Sequence, residues 1–109
     1  VNRLVGYLRF CGAVGRGHSL KRERLAKQMH ISVRQVKKMS EESRLAGIPI
    51  LYNTDSRRGG IFLAETDEEI QDGIDKMTRL ALSLLRERSA LKRALKKRRE
   101  RVEQRELFG

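Results

Sequence analysis

The sequence predicts a mainly α-helical fold with one small β-hairpin, followed by a long C-terminal helix. Three observations carry that expectation. Apolar residues recur at helical spacing in three short stretches between residues 2 and 45, separated by capping and turn residues. Two β-prone runs, Ile50-Leu51-Tyr52 and Ile61-Phe62-Leu63, flank a segment rich in turn formers. From 67 to about 106 the chain has no proline and one glycine, and its apolar residues repeat every seven positions.

Taken in order, Leu4, Val5, Leu8 and Cys11 share one helical face over residues 2–11. Gly12, Gly15 and Gly17 break that pattern, so 12–19 reads as a mobile connection. Ser19 is positioned to cap a helix over 20–29, with Leu25, Ala26 and Met29 on its inner side. Ser32 opens the next helix, and Gln35 three residues on completes a capping box. Gly47 ends that helix, with Pro49 as a second stop. Residues 53–60 form a loop by composition, joining the two β-prone runs. Thr66-Asp67-Glu68-Glu69 is a second capping box, and the acidic start and basic end of the last helix both suit its dipole. That helix would be ~60 Å long at 1.5 Å per residue.

Charge narrows the function classes. The 109 residues carry 25 Lys and Arg against 14 Asp and Glu, a formal net charge of +11, which points to a polyanion as partner. Residues 1–64 hold 13 basic and 4 acidic side chains, whereas 65–109 hold 12 and 10, the acidic ones first. The expected division is therefore 1–64 and 65–109. The single cysteine, Cys11, excludes an internal disulfide and fits a reducing compartment. No apolar run reaches the ~18 residues of a membrane span. The expected setting is cytoplasmic, with association to the nucleoid. Residue 1 is Val, which marks a processed chain or a fragment.

Signals for chemistry are weak. Gly12 to Ser19 approaches the phosphate-binding loop pattern, but His18 stands where a lysine must reach the phosphates. His18 and His30 lack partners at metal-ligand spacing, so no metal or other cofactor is expected. No nucleophile–base pair or carboxylate pair stands out, so the chain does not read as an enzyme. Three Phe, two Tyr and no Trp offer few stacking platforms for single-stranded RNA.

The residues with the most information are 25–36 (LAKQMHISVRQV), then Ala46-Gly47-Ile48-Pro49-Ile50, then Gly59-Gly60-Ile61-Phe62-Leu63-Ala64. Together they resemble the winged helix-turn-helix DNA-binding domain of bacterial and phage regulators, of the type found at the N-terminus of biotin repressor and in DeoR-like proteins. The resemblance covers roughly residues 2–64. Within it, Ala26 is small where two helices cross, Ile31 and Val36 anchor the turn, and Ser32 caps the recognition helix. His30 stands where that family often has glycine, and Ser40 and Ser43 where bulkier apolar residues are usual.

The resemblance implies that the helix over 32–45 enters the major groove of double-stranded DNA. Ser32, Val33, Arg34, Gln35, Lys37 and Lys38 are then the candidate contacts, away from Val36 and Met39. Arginine reads guanine and glutamine reads adenine, so Arg34 and Gln35 are the candidates for specificity. Lys37 and Lys38 suit phosphates. Arg57 and Arg58 occupy the tip of the wing, where that family touches backbone or minor groove.

In the last helix Ile74, Ala81, Arg88, Leu95 and Val102 fall at heptad position a, and Ile70, Met77, Leu84, Leu91 and Arg98 at d. Ile70, Ile74, Met77, Ala81, Leu84, Leu91 and Leu95 form the candidate seam of a homodimer. Leu80, Leu82 and Leu85 widen the apolar stripe, so its first half is expected to meet more than one neighbour. A helix folded back on its own domain is the competing reading, and Lys96-Lys97-Arg98-Arg99 could add a phosphate-gripping arm. The tail Gln104-Arg105-Glu106-Leu107-Phe108-Gly109 is similar to the short motif by which bacterial replication and repair proteins dock on the sliding clamp, with Gln104, Leu107 and Phe108 as the matching positions and Arg105 where leucine is favoured.

The expected function is that of a sequence-specific double-stranded DNA-binding protein, a bacterial or phage transcriptional regulator. The alternative is an accessory factor of DNA replication or repair that binds DNA and recruits a partner such as a sliding clamp through the C-terminal helix and tail.

Overall fold

The computed structural model describes residues 3–54 and 59–108. Its elements are α1 (Arg3–Phe10), a 3-10 turn (Arg16–His18), α2 (Arg22–Met29), α3 (Val33–Leu45), β1 (Ile50–Asn53), β2 (Gly60–Leu63) and α4 (Asp67–Phe108). The fold is mainly helical, with a two-stranded antiparallel hairpin and a long C-terminal helix. Val1–Ile74 form one unit and Asp75–Gly109 a second, so the opening turns of α4 belong to the first unit.

Local signals position most helix ends. The Ser32 hydroxyl accepts the Gln35 N–H at 3.1 Å, and the Gln35 side chain accepts the Ser32 N–H at 2.8 Å, closing the expected capping box. At the far end of α3, Gly47 adopts φ 86°. The Gly47 N–H donates to the Arg44 carbonyl and the Ile48 N–H to the Ser43 carbonyl, a paired closure that uses the last orphan acceptors. At the start of α4 the Thr66 hydroxyl accepts the Glu69 N–H, and the Glu69 carboxylate accepts the Thr66 N–H, each at 3.2 Å.

Three expectations fail between α1 and α2. Ser19 does not cap α2: its hydroxyl donates to the Arg16 carbonyl, and the cap position is Lys21, without a side-chain bond. The reason lies in Leu20, which exchanges two backbone hydrogen bonds with Ile61 at 2.9 and 2.8 Å and so stays extended. Nor is 12–19 a loose connection. Ala13 is buried, the Gly15 N–H donates to the Leu63 carbonyl, and the Leu63 N–H to the Ala13 carbonyl. The segment therefore satisfies the edge of β2 that β1 leaves open. Cys11 is exposed rather than on the inner face, because α1 stops at Phe10.

The hairpin registers Ile50 with Leu63, Leu51 with Phe62, Tyr52 with Ile61 and Asn53 with Gly60. Alternation along a strand divides these pairs between two faces. Ile50, Ile61 and Leu63 join Leu4, Leu8, Leu25, Met29 and Val36 in the main core. Leu51 and Phe62 lie on the opposite face and are also buried, at 8% and 1% exposure. The opening turns of α4 bear on that second face: a Cβ at Gly73 would stand 2.7 Å from the Leu51 side chain.

Arg16 secures the same turns. Its backbone N–H donates to the Glu69 carboxylate at 2.6 Å, and its guanidinium pairs with Asp72. Partial desolvation pushes the Glu69 carboxyl upward, but N–H donors from Glu65, Arg16 and Thr66, with the Arg16 charge, outweigh it and hold it below the ordinary value. A carboxyl lowered on folding stabilises the native state above its unfolded pKa, and that contribution is lost as pH falls through the folded value. The melting temperature is therefore expected to drop more steeply below about pH 4.5 in the wild type than in Glu69→Gln. Parallel curves for the two proteins between pH 3 and 6 would remove Glu69 from this role.

Candidate nucleic-acid interface

α2 and α3 are joined by a three-residue turn whose geometry is set by His30 and Ile31. His30 takes a left-handed conformation (φ 57°), and its N–H reaches back to the Lys27 carbonyl at 3.3 Å. A residue with a Cβ pays about 1 kcal/mol or more for that conformation, which glycine would avoid. The Ile31 N–H donates to the Ala26 carbonyl at 3.0 Å, and its side chain packs on the core. Ala26 is 3% exposed, as a small residue at a close helix approach should be.

Burial then divides α3 into two sides. Val36, Ser40 and Ser43 are buried, at 0%, 0% and 1% exposure. The two serines are tolerated inside because each hydroxyl donates to a carbonyl four residues back, Ser40 to Val36 at 2.8 Å and Ser43 to Met39 at 2.7 Å. Ser32, Val33, Arg34, Gln35, Lys37 and Lys38 are all exposed. Arg34, Gln35, Lys37, Lys38 and Glu41 line one open depression of about 530 Å³. The first turns of α3 thus present three cations and an amide together.

Gln35 is less free than its exposure implies. Its side-chain oxygen already accepts the Ser32 N–H, whereas bidentate contact to adenine needs that oxygen and the amide nitrogen together. Arg34 carries no such commitment to the cap. Arg57 and Arg58 lie outside the described residues.

A second basic group was not singled out from the sequence. Lys21 and Arg22 open α2 and, with Glu23, line a depression of about 500 Å³ against Tyr52, Asn53, Thr54, Gly59 and Gly60 of the hairpin. The Arg22 guanidinium sits 5.3 Å from the centre of the Tyr52 ring and that of Arg44 5.4 Å from it. Arg44 also donates to the Ile50 carbonyl at 3.1 Å, which explains its partial burial. The run Lys21-Arg22-Glu23-Arg24 was the available signal, but only the bridge between Leu20 and Ile61 brings its first two residues to the hairpin.

Past Lys76, every side chain of α4 through Leu107 is exposed, including Met77 at 45%, Leu84 at 57%, Leu91 at 72% and Leu95 at 48%. Ile70 is half-buried and Ile74 is 51% exposed. Gln104 and Leu107 are exposed near the end of the helix, and the Phe108 side chain lies outside the described residues. Among the described residues no group of His, Cys, Asp and Glu could hold a metal ion, and no helix is long and apolar enough to cross a membrane. Comparison of the chain with protein-family models, with curated proteins and with solved structures finds no match.

Proposed function

We propose that this chain is a sequence-specific double-stranded DNA-binding protein of bacterial or phage type, a transcriptional regulator built on a winged helix-turn-helix. The observation that carries the reading is the two-sided α3. Its inner side is buried and its caps are complete, so Arg34, Lys37 and Lys38 are held outward from a rigid helix beside one another. In this reading α3 lies in the major groove, Arg34 reads a base edge, and Lys37 and Lys38 hold phosphates. The hairpin acts as the wing. The exposed apolar seam of α4 pairs two copies on paired half-sites.

Selection of bound duplexes from a randomised pool at about 150 mM salt tests this. Enrichment of an inverted repeat supports specific readout by a dimer. A single asymmetric half-site keeps the recognition helix and removes the dimer. Retention on DNA at low salt with no enrichment overturns the regulator and favours an accessory factor of replication or repair that recruits a partner through the C-terminal helix and its tail residues Gln104, Leu107 and Phe108.

On the selected site, Arg34→Ala is expected to cost roughly 1–3 kcal/mol and to leave binding to random DNA nearly unchanged. Lys38→Ala should weaken both alike and reduce the salt slope by about one. Unchanged affinity and preference in Arg34→Ala, measured by titration on specific and random duplexes, would show that α3 does not read the bases.

A further inference from the structure

Between Met77 and Leu95, α4 carries an exposed apolar seam interrupted once, by Arg88 at position a. We infer that a second copy of this chain covers the seam as a parallel, in-register, two-stranded coiled coil. This rests on the reading of α4 as the dimerising helix and adds its orientation and register.

The flanking positions decide the orientation. In a parallel, in-register pair each g residue faces the e residue five positions on in the other copy. Within the seam Leu80 then meets Leu85 and Glu87 meets Lys92. One contact is wholly apolar, one joins opposite charges and none joins like charges. Two-fold symmetry makes each of them twice. Position a residues face each other across the two-fold axis, so Arg88 meets the second copy's Arg88, and each guanidinium has a counter-ion in the preceding g residue of the other copy, Glu87.

Reversing one helix removes this match. The antiparallel register centred on the same stretch sets Glu87 against the second copy's Glu87, Leu80 against Ala94 and Lys92 against Thr78. Its apolar contacts survive and Arg88 faces Leu84 rather than a second Arg88, but the Glu87–Lys92 ion pairs are lost and Glu87 meets Glu87. Arg98 at d, within the run 96–99, marks where the close seam ends. In the parallel arrangement the N-terminal ends of the two helices lie together, so both DNA-reading units follow from the same end of the coil.

The test uses the full chain with Cys11→Ser, so that introduced thiols are the only ones. Leu84→Cys and Leu91→Cys place a thiol at two successive d positions, and Arg79→Cys places one on the outer face. Under mild oxidation both seam variants are expected to form the covalent dimer on the order of tenfold faster than Arg79→Cys, because only facing d positions meet disulfide geometry. Charge reversal gives an independent reading in an Arg88→Leu background, where Glu87 has no charge at position a to serve. There Glu87→Lys should weaken the sedimenting dimer by on the order of tenfold, and Glu87→Lys with Lys92→Glu should restore it.

A wild-type chain that sediments as a monomer at about 100 μM overturns the pairing itself. A dimer in which neither seam thiol links to itself, or in which the double reversal does not rescue the single one, overturns the parallel register and leaves the pairing standing. Neither result depends on DNA, so each is separable from failure of the DNA-binding reading.

Discussion

Phe62→Ala is expected to destabilise the first unit by about 3–5 kcal/mol, the usual cost of removing a fully buried aromatic ring. Phe62 is 1% exposed and shares the second face of the hairpin with Leu51, opposite the main core. The cavity would open under the turns of α4 that Gly73, Glu69 and Asp72 tie to this unit. With about 4–8 °C of melting temperature per kcal/mol in a domain this small, the transition should fall by roughly 12 °C or more. Both tyrosines, Tyr7 and Tyr52, lie in the first unit and the chain has no tryptophan, so the tyrosine band of the near-ultraviolet dichroism reports that unit alone. Phe62→Leu, which keeps much of the volume, should cost less than about 1.5 kcal/mol. A loss below about 1 kcal/mol in the alanine variant would mean that the second face is not a packed layer.

Gly60→Ala should cost nearly as much for the opposite reason, excess rather than missing volume. A Cβ at Gly60 would stand 2.3 Å from the Leu20 carbonyl oxygen, 2.6 Å from its carbon and 3.0 Å from the Lys21 nitrogen. All three are backbone atoms, so no flexible side chain can move aside. The strand must separate from Leu20 and give up the pair of hydrogen bonds between Leu20 and Ile61. A loss of about 2–4 kcal/mol is expected. Lys21 and Arg22 would shift away from the hairpin with it, so under the proposed function DNA affinity should fall further than stability alone explains. Gly17→Ala, where nothing lies within 4 Å, is the matched control and should be near neutral. An unchanged melting temperature in Gly60→Ala would show that the bridge contributes nothing.

The two serines of α3 show where family resemblance and burial diverge. They stand where larger apolar residues are usual in the family that the sequence resembles. They are instead buried with their hydroxyls satisfied inside the helix. Removing one hydroxyl leaves a carbonyl on the helix, so nothing in the pattern of apolar residues announces the bond. Gln35 diverges the other way. Its place in a capping box was legible, a base-reading role is only what the resemblance implies, and the bond from the Ser32 N–H shows that the cap already uses the oxygen adenine would need.

The sequence by itself determined the elements whose signals are local. The capping boxes at Ser32 and Thr66, the stop at Gly47 and the apolar spacing of Leu25, Ala26 and Met29 each act within one turn of chain, so short-range pattern is enough to place them. The same holds for the hairpin strands and the heptad period of α4. Tertiary structure alone decided what depends on partners far away in the chain. Leu20 is extended rather than helical because Ile61, 41 positions on, supplies the hydrogen bonds that a helix would have supplied locally. Residues 13–15 are ordered because β2 has a second edge to satisfy, and Glu69 is both a cap and an acceptor for Arg16 because the hairpin's second face needs cover. A buried backbone group takes whichever partner the fold brings to it, and no local pattern records that choice.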